Sequence, residues 1–255
     1  MTTQKEKAEL FGSLHIKGEP IILFNIWDAG SAKAVQDAGA KAIATGSWSV
    51  AAAQGFFDAE ALPLNLALEN ITRIVGSVGL PVTLDFEGGY ATDLATLRSN
   101  IEKVIDTAAI GINFEDQIVG GEGLYSVEEQ STRISAIRDA AKTKGIPLFI
   151  NARTDVFLKN GPSTHAEHFE EAITRGLAYA DAGASGLFVP GLKDPKLIKE
   201  ICSRSPLPVN IMVMTDTPSN QEMAELGVGR ISYGPGPYRQ IMEALKEAGR
   251  AAFSN

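Results

Sequence analysis

The sequence predicts an α/β fold, a (β/α)8 TIM barrel with a short N-terminal helix, and two patterns carry that expectation. Eight short, almost continuously apolar runs recur along the chain, as in strands buried on both faces. Stretches of helical period separate them, and alternating βα units imply a parallel sheet. Eight such units in 255 residues suit a closed barrel better than an open, doubly wound sheet. No Pro/Ser/Gly-rich linker or low-complexity tract interrupts the chain, so residues 1–255 read as one domain.

In chain order, a helix near 3–14 precedes the first run, IILFNIW (21–27). The other runs are AKAIATG (40–46), PVTLDFE (81–87), IGINFED (110–116), PLFINAR (147–153), SGLFVPG (185–191), PVNIMVM (208–214) and RISYGP (230–235). Helical periodicity falls near 30–38, 62–77, 93–107, 127–143, 166–181, 194–203, 218–226 and 237–252. Asp93 and Ser126 stand where N-caps are expected. DAGAKAIATG (37–46), DAGASGLFVPG (181–191) and ELGVGRISYGP (225–235) echo one another. Each passes from a helix end through glycine into a strand, and glycine suits the left-handed residue that closes a helix.

The formal charge is −8. That disfavours nucleic acid, which wants a basic face, but leaves room for a small anionic substrate. The single cysteine, Cys202, excludes an intramolecular disulfide. The N-terminal stretch has no apolar core of signal-peptide type, and no apolar run approaches the ~20 residues a membrane helix needs. The expectation is a soluble cytoplasmic protein with no membrane partner. GxGxxG and P-loop patterns are absent after the strands, which weakens nucleotide binding.

In a barrel of this type, chemistry is built at the C-terminal ends of the strands. There the chain places Trp27 and Asp28, Ser47 and Trp48, Asp85 and Glu87, Glu115 and Asp116, then Asn151, Arg153 and Asp155. Pro190, Gly191, Asn210, Tyr233 and Gly234 complete the ring, with Asn210 the candidate substrate contact from the seventh strand. Carboxylates crowd onto strands three and four. Packed acids repel unless protonated or compensated by a cation. A hard divalent ion fits, and Mg2+ needs only one or two direct carboxylates beside its waters. Asp85 is the direct candidate, with Glu87 and Glu115 direct or through water. The bland alternative is that these acids cap helices or face solvent.

Arg153 is the one basic residue at these ends, and its fork suits a substrate carboxylate or phosphonate. A structural salt bridge to Glu115 or Asp155 is the compatible alternative. No lysine sits at a strand end, so Schiff-base chemistry is disfavoured. His165 and His168 read as surface residues, and Cys202 as a small apolar filler.

GSWSVAAAQGFFD (46–58), LDFEGGY (84–90), INFED (112–116) and NARTD (151–155), in this order, resemble the isocitrate lyase/phosphoenolpyruvate mutase superfamily. NIWDAGSA (25–32) and ISYGPGPYR (231–239) extend the likeness over nearly the whole barrel. The resemblance implies a (β/α)8 barrel that uses Mg2+ to bind α-oxo acids and makes or breaks C–C or P–C bonds. It implies Asp85 as the direct Mg2+ ligand, with Glu87 and Glu115 ligating through water. Asp58 would ride a mobile catalytic segment after strand two. Ser47 and Trp48 would offer backbone N–H groups to the substrate carboxylate, and Arg153 would hold another anionic or oxo oxygen.

One departure is plain. The lyases of the superfamily carry a KKCGH loop after strand four, with a catalytic cysteine. Here the stretch is EDQIVGGEGLYS (115–126), without cysteine, lysine or histidine. The loop of the mutase and phosphonopyruvate hydrolase branch is missing too. Gly120, Gly121 and Gly123 suit either a flexible lid or a turn-rich connection.

The expected activity is therefore Mg2+-dependent chemistry on a small α-oxo or 2-hydroxy carboxylate through an enolate-like intermediate. A C–C lyase or decarboxylase leads; P–C bond chemistry and non-catalytic α-oxo acid binding are the alternatives. The last helix carries an apolar stripe at Ile241, Met242, Leu245 and Ala248. Its ordinary job is to close the barrel against the first helix. The resemblance implies instead a homodimer or homotetramer, in which such a helix crosses to a partner.

Overall fold

The computed structural model describes residues 2–254. Its elements are α1 (Gln4–Ser13), β1 (Ile21–Leu23), α2 (Ala29–Asp37), β2 (Ile43–Ala44), α3 (Ser47–Ala53), α4 (Leu64–Ser77), β3 (Val82–Asp85), α5 (Leu94–Asp106), β4 (Gly111–Glu115) and α6 (Val127–Thr143). They continue as β5 (Phe149–Arg153), α7 (Val156–Lys159), α8 (Phe169–Asp181), β6 (Gly186–Phe188), α9 (Pro195–Arg204), β7 (Val209–Met212), α10 (Asn220–Glu225), β8 (Arg230–Ser232) and α11 (Gly236–Phe253). All eight strands fall inside the apolar runs. The strands run parallel in the order β1-β8-β7-β6-β5-β4-β3-β2. The two edges of the sheet meet at one parallel bridge, Ile26–Thr45, where the Ile26 N–H donates to the Ala44 carbonyl at 2.9 Å. The barrel is thus nearly closed.

The helix ends follow the sequence signals. Asp93 and Ser126 accept from the backbone N–H groups of Thr96 and Glu129. Gly39, Gly183 and Gly227, the glycines of the echoed segments, have φ of +96°, +100° and +92°. Each turns a finished helix into the next strand, where a side chain would be strained.

Register decides which side chains meet at the mouth. Asp85 lies beside Asn113, and Asn113 beside Asn151. Glu115 pairs with Arg153, and Arg153 with Phe188. The barrel stem is unusually polar: Thr83, Asn113, Asn151, Asn210, Arg230 and Ser232 are all buried, where branched apolar residues usually fill such a barrel. α1 plugs the floor. Phe11 meets Phe149 edge-on at 5.2 Å, and His15 stacks on the same ring at 4.0 Å.

Three expectations change. The segment after strand two begins with a helix, α3, which the helical periodicity does not mark. His165 is buried, with Nε2 3.0 Å from the Phe157 carbonyl, so it is not a surface residue, while His168 stays partly exposed. α11 does not close the barrel: Pro237 is its buried residue, while Ile241 and Leu245 are 49% and 64% exposed. Cys202 is buried in the main core, and burial pushes its thiol up to about 12. Among the described residues, no helix is long and apolar enough to cross a membrane.

Candidate active site

A cavity of about 170 Å3 opens at the C-terminal ends of the strands. Asp58, Asp85 and Arg153 are its charged lining residues, and the backbone of Gly46, Ser47 and Trp48 enters from β2. Asn25, Asn113 and Ser232 also line it. The larger apolar groove, about 920 Å3, lies on the outside of the barrel, away from this chemistry.

Asp85 ends β3 and is held on three sides. Its N–H donates to Thr45 Oγ1 at 2.9 Å, and its Oδ2 accepts the Ser47 N–H at 2.9 Å. Asn113 Nδ2 reaches Oδ1 at 3.4 Å. The first N–H of α3, expected to face substrate, is therefore directed to Asp85 here. Asp58 shares the cavity. Burial and the Asp85 charge push its carboxyl upward, against the pull of the Ser47 side chain and the Ala59 N–H.

Glu87 stands behind Asp85. Its Oε2 accepts the Glu60 N–H at 2.8 Å, and Oε1 accepts the Tyr90 hydroxyl at 3.3 Å. Burial, then Asp58 and Asp85, push Glu87 up to about 8. Ala59, Glu60, Glu87 and Tyr90 all carry left-handed φ values, between +49° and +68°. Such values cost a non-glycine residue about 1 kcal/mol or more, and these hydrogen bonds hold the backbone there.

Arg153 is clamped. Nη1 meets Glu115 Oε2 at 2.8 Å, while Nε and Nη2 fork onto Asp155 at 2.6 and 2.9 Å. Burial opposes the guanidinium charge, but Glu115 and Asp155 outweigh it and raise its pKa. Burial raises Glu115 in spite of Arg153, and Asp155 and Asp85 add to that. Asp155 is positioned in turn. Its N–H donates to Asp116 Oδ1 at 3.0 Å. Asp116 Oδ2 accepts Tyr179 Oη at 2.7 Å and Arg175 Nη1 at 3.3 Å, both from α8.

The charge balance fits a dication. Asp58, Asp85, Glu87, Glu115 and Asp155 crowd around one clamped arginine, and burial resists the ionisation of Asp58, Glu87 and Glu115. Among the described residues, no three His, Cys, Asp or Glu side chains are grouped so as to hold an ion by themselves. Two carboxylates facing a cavity, Asp58 and Asp85, with further acids behind them, suit Mg2+ that keeps most of its waters.

Asn210, expected at the mouth, is fully buried, and its amide is spent on Ser232 instead. Ser232, Asn113 and Asn25 are the site residues the sequence reading missed. The available signal was a polar side chain set among inward-facing strand positions. The stretch after β4 folds back on itself: Gln117 bridges Leu124, and the Ile118 N–H donates to the Gly123 carbonyl.

A parallel barrel with an acid cluster and one arginine at its strand ends places the chain among the (β/α)8 barrel proteins with a polar site at the strand ends. The chain belongs to the phosphoenolpyruvate phosphomutase family, whose model matches residues 11–253, and so to the isocitrate lyase/phosphoenolpyruvate mutase superfamily. A crystal structure from Burkholderia cenocepacia J2315, described as a candidate phosphonomutase, superposes with a TM-score of 0.95 at 48% identity, covering 98% of this chain and 99% of that one. The oxaloacetate decarboxylase of Rhodopseudomonas palustris (strain TIE-1) is 29% identical over 192 residues, 72% of this chain and 63% of its own length. A phosphonopyruvate hydrolase in complex with oxalate and Mg2+ shares the fold at 22% identity and a TM-score of 0.83, covering 94% of this chain and 84% of that one.

Proposed function

We propose that this protein is a Mg2+-dependent enzyme that breaks a C–C bond in a small α-oxo acid through an enolate-like intermediate, by decarboxylation of a β-carboxylate. The composition of the cavity carries the reading. Its titratable side chains are Asp58, Asp85 and Arg153, with no cysteine, lysine or histidine. Retro-aldol cleavage of a 2-hydroxy acid needs a base for the hydroxyl and an acid for the departing carbanion. Loss of CO2 needs no such pair, only stabilisation of the electrons left behind and a later proton.

Asp85 would hold Mg2+ directly, with Glu87 and Glu115 supporting its waters. The ion would supply Lewis-acid stabilisation of the charge that develops on the oxo acid. Arg153, fixed by Glu115 and Asp155 on the cavity lining, would hold the substrate's anionic oxygens with its remaining N–H donors. Such preorganised donors favour charge that appears in the transition state. Asp58, on the lining of the same cavity, is the carboxyl group available to return a proton to the enolate carbon. The volume of about 170 Å3 is below that of pockets for drug-sized ligands and suits a compact acid. Phosphonopyruvate cleavage is the alternative, because Arg153, beside Phe188, could also face a phosphonate.

Turnover tests the reading. Oxaloacetate should yield pyruvate and CO2 with Mg2+ and not with EDTA, and phosphonopyruvate should be a poorer substrate. Faster phosphonopyruvate cleavage would move the assignment to P–C chemistry. Tight oxalate binding without turnover of either acid would leave a binding protein.

We propose an assembly built on α11. Its apolar stripe faces no barrel wall of its own chain. The outer groove, lined by Ile22, Phe24, Ala34, Val35, Ala38 and Ala224, lies where the helix after β8 would close a barrel against α2 and α10. The α11 of a second copy is the matching occupant, giving a homodimer or a tetramer of two such pairs, and covering an apolar surface too large to leave bare. Sedimentation at micromolar concentration should show no major species at the chain mass of 27.1 kDa. A lone species of that mass would overturn the assembly.

A further inference from the structure

We infer that Ser232 is the specificity-determining residue for the substrate group that points away from the metal side, and that Asn210 and Arg230 are its positioning residues. The inference rests on the α-oxo acid reading above and deepens it. In an eight-stranded barrel β3 faces β7, so the wall opposite Asp85 comes from β6 to β8. That wall is Phe188, Pro190, Met212, Ser232, Gly234 and Pro235. Ser232 is its one polar side chain.

The Ser232 hydroxyl is held from behind. Its Oγ accepts Asn210 Nδ2 at 3.1 Å and faces Arg230 Nε at 3.4 Å. Both donors come from side chains at most 1% exposed. With both lone pairs engaged, what the hydroxyl can offer is its proton. Asn210 Oδ1, 3.2 Å away, is the resting acceptor, and a substrate oxygen in the cavity is the alternative. Arg230 has no ion-pair partner among the described residues, and its Nη1 is buried without a hydrogen-bond partner. Its Nη2 donates to Asn113 Oδ1 at 3.0 Å. One buried guanidinium thus fixes Ser232 on one side of the cavity and, through Asn113, the neighbour of Asp85 on the other.

A neutral donor on an otherwise apolar wall selects a particular partner. It orients a C3 carboxylate through one hydrogen bond without neutralising it. A guanidinium in that place would hold the carboxylate as firmly before the reaction as during it, and uniform binding does not accelerate the chemical step. The substrate class is therefore an α-oxo acid bearing a carboxylate on C3, in preference to an unsubstituted oxo acid or a phosphonate.

Ser232→Ala tests this. Its Mg2+-dependent kcat/KM for oxaloacetate should fall about tenfold, the worth of one hydrogen bond. Affinity for 3,3-difluorooxaloacetate should fall by a similar factor. Oxalate, which lacks the C3 group, should bind with an unchanged Kd, and Ser232→Thr, which keeps the hydroxyl, should recover part of the loss. An unchanged ratio of the two affinities overturns the inference, as does an equal loss for both ligands, the mark of a merely structural role. A wild type that binds both acids without turning over oxaloacetate defeats the decarboxylase reading, while the affinity ratio still decides on Ser232. Wild type that binds neither acid overturns both.

Discussion

Asp85→Ala is expected to abolish Mg2+ binding and to lower kcat/KM by roughly three decades or more. Lewis-acid stabilisation is worth several kcal/mol, and each ~1.4 kcal/mol is a factor of ten in rate. The residue also receives the Ser47 N–H and an Asn113 amide hydrogen, so alanine frees the start of α3 as well. Asp85→Asn keeps the shape and an acceptor for Ser47 but drops the charge. It should retain the fold by circular dichroism and still fail to bind the ion by calorimetry. Wild-type turnover undiminished by exhaustive chelation would defeat the metal assignment.

Arg153→Met should be the most destabilising change at the mouth. It leaves Glu115 and Asp155 facing each other, buried and without their cation. Removing one partner of a buried ion pair costs about 3–5 kcal/mol. The sign of the pH dependence follows. Without the guanidinium, Glu115 should sit still further above its unfolded pKa, so the folded state binds the proton more tightly. Wild-type Glu115 is itself raised to about 8, so both folded proteins keep that proton below this value, and the variant's extra deficit opens only as the pH rises through and beyond it. Urea unfolding of the metal-free protein at pH 6 and 9.5 should show the variant losing more, relative to wild type, at pH 9.5. Equal stability at both values would mean the acids need no arginine.

Much of the barrel was legible because its signals are local. Strands buried on both faces must be apolar, and a helix followed at once by a strand needs a left-handed residue at the join, so Gly39, Gly183 and Gly227 mark three of the units. The acids were legible for a related reason: a carboxylate at the end of a buried strand needs compensation. Two features depended on long-range pairing and were not. α3 begins at Gly46 without a side-chain cap, and its Ser47 N–H finds its partner on β3, thirty-eight residues away. Asn210 was placed at the mouth by its position on β7, but only the pairing of β7 with β8 shows that Ser232 stands between it and the cavity. Arg230, in the middle of a buried run, was the available clue to a polar stem. Its bond to Asn113 spans 117 residues, and no local pattern encodes that.

The support of Arg153 bears on how sequence variation in this chain should be scored. Tyr179 and Arg175 sit on an outer helix and line no part of the catalytic cavity. Yet they hold Asp116, which holds the backbone of Asp155, which forks onto Arg153. A ranking of variants by distance from the cavity would file Tyr179→Phe as tolerated. A ranking by hydrogen-bond steps would place it three removes from Arg153, beside changes in the mouth itself. Chains that diverge in α8 can therefore drift in activity while every residue in contact with substrate stays the same.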